Sequence, residues 1–87
     1  MDKTFSVNIV AVEKTLYKGK VFSMIAPAAT GYLGVLANHA PMVTTLGSGT
    51  ITLREESGTT KTIDFKGKGF LEVLNNEVTL LLETGVA

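Results

Sequence analysis

Apolar and polar residues alternate with a period of two along most of the chain. Phe5, Val7, Ile9 and Ala11 fall on one side of Thr4 to Val12, with Ser6, Asn8 and Val10 on the other, which predicts a strand with one buried face. Leu16 to Lys20 repeats the pattern briefly around Tyr17 until Gly19 interrupts it, so a short strand near an edge is expected there. Val21 to Ala26 differs: Val21 and Ile25 point one way, Phe22 and Met24 the other. Both faces are then apolar, consistent with a strand covered on both sides or with one whose outer face meets another subunit.

The second half of the chain reads as two hairpins. Ile51 and Leu53 alternate with Thr50, Thr52 and Arg54, while Ile63 and Phe65 alternate with Thr62, Asp64 and Lys66. Glu56 to Thr59 joins these runs, and opposite charges on the outer faces are placed to pair across the strands. Phe70 to Leu74 and Glu77 to Glu83 flank Asn75-Asn76, a two-residue loop whose left-handed backbone asparagine tolerates. Leu71, Val73, Val78, Leu80 and Leu82 share the core face. The opposite face sets Phe70, Leu74 and Leu81 among Glu72, Thr79 and Glu83, an apolar patch with an acidic rim.

Between the two halves lies Gly31 to Leu46, GYLGVLANHAPMVTTL, which holds the single histidine and one of the two prolines. Pro27 to Gly31 is a connection of small residues with Thr30-Gly31 as its turn. Gly31 and Gly34 inside an apolar run predict a strand that bends as it reaches an edge. Pro41 keeps Ala40 out of the helical region, so Asn38, His39 and Ala40 make a corner leading into a second strand, Met42 to Leu46. Gly47-Ser48-Gly49 and Gly67-Lys68-Gly69 are further bends. With no helical period and turn signals every eight to twelve residues, the pattern predicts an all-β single domain, residues 1–87, built as a flattened two-sheet β-sandwich or barrel of about nine to ten short strands.

Composition narrows the chemistry. The 87 residues include no cysteine, which leaves neither disulfide framework nor thiolate metal site. Eight basic residues balance eight acidic ones with no run of like charge, which argues against nucleic acid or a polybasic membrane anchor. The N-terminus has no leader-like segment, so a cytoplasmic location is expected. A hydrophobic content of 45% with 18% charged residues is apolar for so small a domain and suggests a face reserved for a partner. His39 is the one candidate base, and no serine near it sits in a nucleophile elbow. One imidazole with scattered carboxylates makes no metal set, and Gly31-Tyr-Leu-Gly34 matches no phosphate loop. Glu55 and Glu56, adjacent in a strand, point to opposite faces. Neither catalysis nor a cofactor is expected, and His39 is expected to bond to backbone or to a partner.

Gly31 to Leu46, the following Gly49-Thr-Ile-Thr-Leu, Gly67-Lys-Gly-Phe-Leu-Glu-Val and Asn76-Glu-Val-Thr-Leu-Leu together resemble the N-terminal domain of the epsilon subunit of F-type ATP synthases. The most specific piece is Gly34-Val-Leu-Ala-Asn-His-Ala-Pro41, similar to the family's Gly-Ile/Val-Leu/Tyr-Pro-Gly/Asn-His-Ala-Pro, with Ala37 at the usual first proline. The resemblance implies a β-sandwich bound to the gamma subunit and seated on the ring of c subunits, peripheral to the cytoplasmic face of a bacterial inner membrane. It assigns the side facing the c ring to a loop of Thr30, Gly31, Tyr32 and Leu33 and to the corner His39, Ala40, Pro41 and Met42. Tyr32 stands where many relatives carry an acid, which points to an amphipathic contact with its ring buried on the partner and its hydroxyl at a wet rim. Most relatives continue into two antiparallel helices that can inhibit ATP hydrolysis. A short form ending at Ala87 is expected to lack that inhibition. The contrasting expectation from the residues alone is a free-standing β-sandwich that binds a ligand.

Overall fold

The computed structural model describes residues 3–12 and 14–83. Among them are eight strands and no helix: β1 (Phe5–Ala11), β2 (Lys14–Ala28), β3 (Gly31–Leu36), β4 (Met42–Leu46), β5 (Gly49–Glu55), β6 (Thr60–Phe65), β7 (Gly69–Leu74) and β8 (Glu77–Leu82). The all-β sandwich expected from the alternation is what forms. Ala87, where the expected short form ends, lies outside the described residues.

The count is eight, not nine or ten, because the segments expected as Leu16 to Lys20 and Val21 to Ala26 are one strand of 15 residues. Gly19 does not break it, since Gly19 is paired with Val7 of β1. Pro27 also lies inside β2, where it lacks a donor but still offers its carbonyl to the Gly47 N–H at 2.9 Å, a use of proline that a sheet permits at its margins. One strand can serve both layers because its two halves have different neighbours. Lys14 to Val21 pairs with β1, whereas Ser23 to Ile25 lies between β3 and β5.

A register shift between Val21 and Ser23 marks the change of layer. The bulge adds a residue on one strand and so reverses the parity of the positions after it. Val21 and Met24 therefore both face the core, fully buried, while Phe22 and Ile25 face outward, which corrects the assignment made from uninterrupted alternation.

The first layer closes on itself. β1 pairs with β8 in parallel, β8 with β7 and β7 with β4 in antiparallel fashion, and β4 returns to β2 through Leu46 and Ala28. The second layer is β3, β2, β5 and β6. Both belong to one hydrogen-bonded sheet folded over along β2, so the two-layer core needs no second, separate sheet. Phe5, Ile9, Met24, Ile51, Leu53, Phe65, Leu71, Leu80 and Leu82 fill the space between, and among the described residues no polar or charged side chain is buried with them. The core composition is that of a domain held by packing alone.

Candidate partner-binding surfaces

The expected contact residues fall into two groups, and β3 separates them. Thr30 lies in the two-residue turn between β2 and β3, and Gly31, at φ 130°, opens β3 opposite Ala28. That backbone angle favours glycine. Tyr32 follows on the outer face and Leu33 packs inward against the core. The second group begins beyond the other end of β3, where Asn38 takes φ 63° and turns the chain toward Met42. Gly31 and Leu36 are five residues apart in an extended strand, about 16 Å. The structure thus brings Thr30 to Leu33 together, brings His39 to Met42 together, and sets the groups at opposite ends of β3.

Each end is fastened by residues that sequence reasoning passed over. At the corner, Asn38 N–H donates to Asn76 Oδ1 at 2.7 Å, and Asn76 Nδ2 donates to the Thr4 carbonyl at 2.9 Å. Asn76 was legible as a turn residue, and its φ of 62° agrees, but its side chain also binds two distant segments. His39 Nδ1 lies 2.8 Å from the Ala40 carbonyl, so the ring is engaged with backbone, as one of its two expected roles requires. Met42 is half-buried against the core, while Ala40 and Pro41 are exposed.

At the turn end, Tyr32 is 63% exposed, yet its hydroxyl is not free at a rim. It accepts a hydrogen bond from the Thr50 N–H at 3.3 Å. A Cβ on Gly49 would lie 2.7 Å from that hydroxyl and 2.9 Å from Pro27 Cβ, so Gly49 leaves room for the tyrosine to reach across buried Pro27. Tyr32 is a strand residue latched to β5, which corrects its placement on a loop. Beside it, Gly67 N–H donates to Ser48 Oγ at 2.8 Å and joins the two glycine bends. Ala29, Thr45, Gly47, Lys68, Phe70 and Glu83 border an open groove of about 500 Å³ at this end.

The outer faces carry the surplus apolar surface. Register places Phe70 beside Leu81 and Leu81 beside Val10 across three strands, with Val43 and Leu74 nearby and exposed. On the other layer, Phe22, Ile25, Tyr32 and Leu36 are exposed around β2 and β3, whereas β5 and β6 present Thr52, Arg54, Thr62 and Asp64. The cross-strand link on that polar side is Thr50 Oγ1 donating to Asp64 Oδ1 at 2.5 Å.

One titratable group is strongly shifted. Burial, the hydrogen bond to Glu55 Oε2 at 2.6 Å and the negative charge of that carboxylate push the Tyr17 phenol up to about 12. The bond ties the first half of β2 to the end of β5. Among the described residues no three His, Asp or Glu side chains converge as a metal set, and no helix is long and apolar enough to cross a membrane.

Residues 4–87 match the profile of the ATP synthase delta/epsilon chain β-sandwich domain. The chain belongs to that family. The epsilon-type sandwich is 42% identical over 80 residues to the ATP synthase epsilon chain of Leptospira borgpetersenii, covering 92% of this chain and 61% of that one. It is 44% identical over 79 residues to the epsilon chain of Caulobacter vibrioides, covering 91% and 90% respectively. The chain therefore spans about 61% of the length of the Leptospira relative. Its fold matches a chain in the structure of the Euglena gracilis mitochondrial ATP synthase OSCP/F1/c-ring with a TM-score of 0.88 at 18% identity, over 100% of this chain and 54% of that one. A chain of the Tetrahymena thermophila mitochondrial central stalk and c ring matches with a TM-score of 0.72 at 14% identity, over 91% and 63%.

Proposed function

We propose that the epsilon-type sandwich is a non-catalytic central-stalk subunit of an F-type ATP synthase, peripheral to the cytoplasmic face of a bacterial inner membrane, and that it links the gamma subunit to the c ring. The observation that carries this reading is the match of the whole sandwich to epsilon chains, taken with two contact groups that lie at opposite ends of one strand. A coupling element needs a grip on each of two bodies. Both groups were expected to face the c ring; because β3 sets them about 16 Å apart, this reading divides them, with the turn end, Thr30 to Leu33, serving the c ring and the His39 to Met42 corner serving gamma. Both groups combine exposed backbone turns with half-buried anchors, Leu33 and Met42, that tie each end to the core, so force applied at either end reaches the packed interior rather than a loose loop.

The experiment is affinity capture of the tagged chain from its host in mild detergent, combined with cysteine cross-linking from Thr30→Cys and Ala40→Cys. The expected result is recovery of gamma and c subunits, with Thr30→Cys joined to c and Ala40→Cys joined to gamma. Recovery of the chain alone would overturn the stalk assignment in favour of a free-standing module. Cross-links from both positions to the same subunit would overturn the division of the two ends.

A further inference from the structure

The corner from Ala37 to Pro41 carries the chain from one layer to the other. Leu36 at the end of β3 is paired with Ser23 in the second layer, and Met42 at the start of β4 is paired with Val73 in the first. The bond from the His39 ring to the Ala40 carbonyl lies wholly inside the corner, so it shapes the corner without orienting it on the sandwich. Orientation comes from the turn between β7 and β8. Asn76 bonds three segments at once: its carbonyl accepts from the Ser6 N–H at 3.2 Å, its Nδ2 donates to the Thr4 carbonyl at 2.9 Å, and its Oδ1 accepts from the Asn38 N–H at 2.7 Å. The first two bonds tie the turn to the start of β1 and fix which way the side-chain amide points, which leaves Oδ1 aimed at the corner.

The turn itself does not require this residue. Asn75 and Asn76 have φ of 51° and 62°, and at the second position of such a turn glycine is preferred, since it takes positive φ without steric cost. An asparagine there gives up turn stability for a side chain, and the acceptor of that side chain goes to the corner. We propose that Asn76 is the positioning residue of the His39 to Met42 contact group: its amide holds Asn38 at φ 63° and so presents the corner to its partner in one shape. This rests on the assignment of the corner to gamma made above. A preset corner binds without first being ordered, whereas one that holds the competent shape for only about a tenth of the time binds about tenfold more weakly.

Asn76→Gly keeps the positive φ, removes both side-chain bonds and gives the turn its preferred residue, so the melting temperature should change little. The Asn38 amide of the tagged full chain should then exchange with deuterium about tenfold faster, and capture of gamma from the host should weaken about tenfold. Asn76→Asp loses the donor to Thr4 but presents two oxygens, either of which can accept from Asn38, and should return both readouts to near those of the unmodified chain. Asn75→Gly, one residue away, should leave both unchanged. A residue that only shaped the turn would show no loss with glycine and no recovery with aspartate. Equal Asn38 exchange in the unmodified chain and Asn76→Gly, undiminished capture of gamma by Asn76→Gly, or failure of Asn76→Asp to recover either readout would each overturn the positioning role. Capture of no gamma by the unmodified chain would overturn the stalk assignment instead, and Asn38 exchange would then decide for or against the clamp.

Discussion

β3 and β6 are the outer strands of the same layer, and both grip the same residue of β5. Asp64 of β6 accepts from the Thr50 hydroxyl, and Tyr32 of β3 accepts from the Thr50 N–H. Their core sides are alike, with Val35 and Phe65 both buried. Their water sides are opposite in kind: β6 alternates Thr60, Thr62 and Asp64 outward, whereas β3 offers Tyr32, Gly34 and Leu36. The core side of a strand reports only that it packs. The outward side reports what a strand leaves uncovered, polar groups on β6 and an apolar face on β3.

The two strands can be set against each other by substitution. Phe65→Ala should cost about 3 to 5 kcal/mol and Val35→Ala about 2 kcal/mol, since each opens a cavity that the packed neighbours cannot fill. Urea unfolding of the two variants measures this. Comparable losses would confirm that both strands serve one core, and a negligible loss for Val35→Ala would make β3 an appendage. Glycine provides the next contrast. A Cβ on buried Gly69 of β7 would lie 2.6 Å from the Leu81 carbonyl oxygen, while one on Gly34 meets open space. Gly69→Ala should therefore destabilise by about 2 kcal/mol, and Gly34→Ala should stabilise by about 0.5 kcal/mol through a less flexible unfolded chain.

Smaller effects test the two grips on Thr50. Asp64→Ala leaves the Thr50 hydroxyl to water and should cost about 1 kcal/mol, and Tyr32→Phe should cost about 0.5 kcal/mol for a longer, exposed bond. Thermal melts that reverse this order would show that the β3 latch holds the layer more firmly than the β6 pair. A pH-dependent effect concerns the first half of β2. Because the Tyr17 phenol is raised to about 12, the folded chain keeps a proton that the unfolded chain releases near pH 10. The stabilisation is complete below about pH 10 and is lost as pH rises toward about 12. Between those values the melting temperature should fall more steeply for the unmodified chain than for Tyr17→Phe.

Much of this was legible in the residues. The two C-terminal hairpins follow from strict alternation around Glu56 to Thr59 and Asn75-Asn76, and their buried faces are the ones the alternation named. The positive φ of Asn75 and Asn76 is what that dipeptide permits at a two-residue turn. The corner at Asn38 to Pro41 was legible because proline restricts its predecessor whatever the fold. The proposal of Thr30 to Leu33 and His39 to Met42 as contact residues comes from family resemblance, since nothing in their spacing alone marks a binding site.

Local rules are reliable where a residue's conformation depends on its own backbone and nearest neighbours, and the sequence alone settled the period of two, the C-terminal hairpin turns and the buried faces of those hairpins on that basis. Tertiary structure decided what depends on the partner strand. Gly19 and Pro27 read as breaks, but pairing with β1 and the bond to Gly47 hold them inside one strand. The bulge after Val21 moved Met24 to the core and Ile25 to the surface, since parity beyond a bulge is set by the neighbour's register and not by the run itself. The separation of the two contact groups and the reach of Tyr32 to Thr50 had the same origin. Both follow from which strands lie side by side, a matter of long-range pairing that no window of neighbouring residues contains.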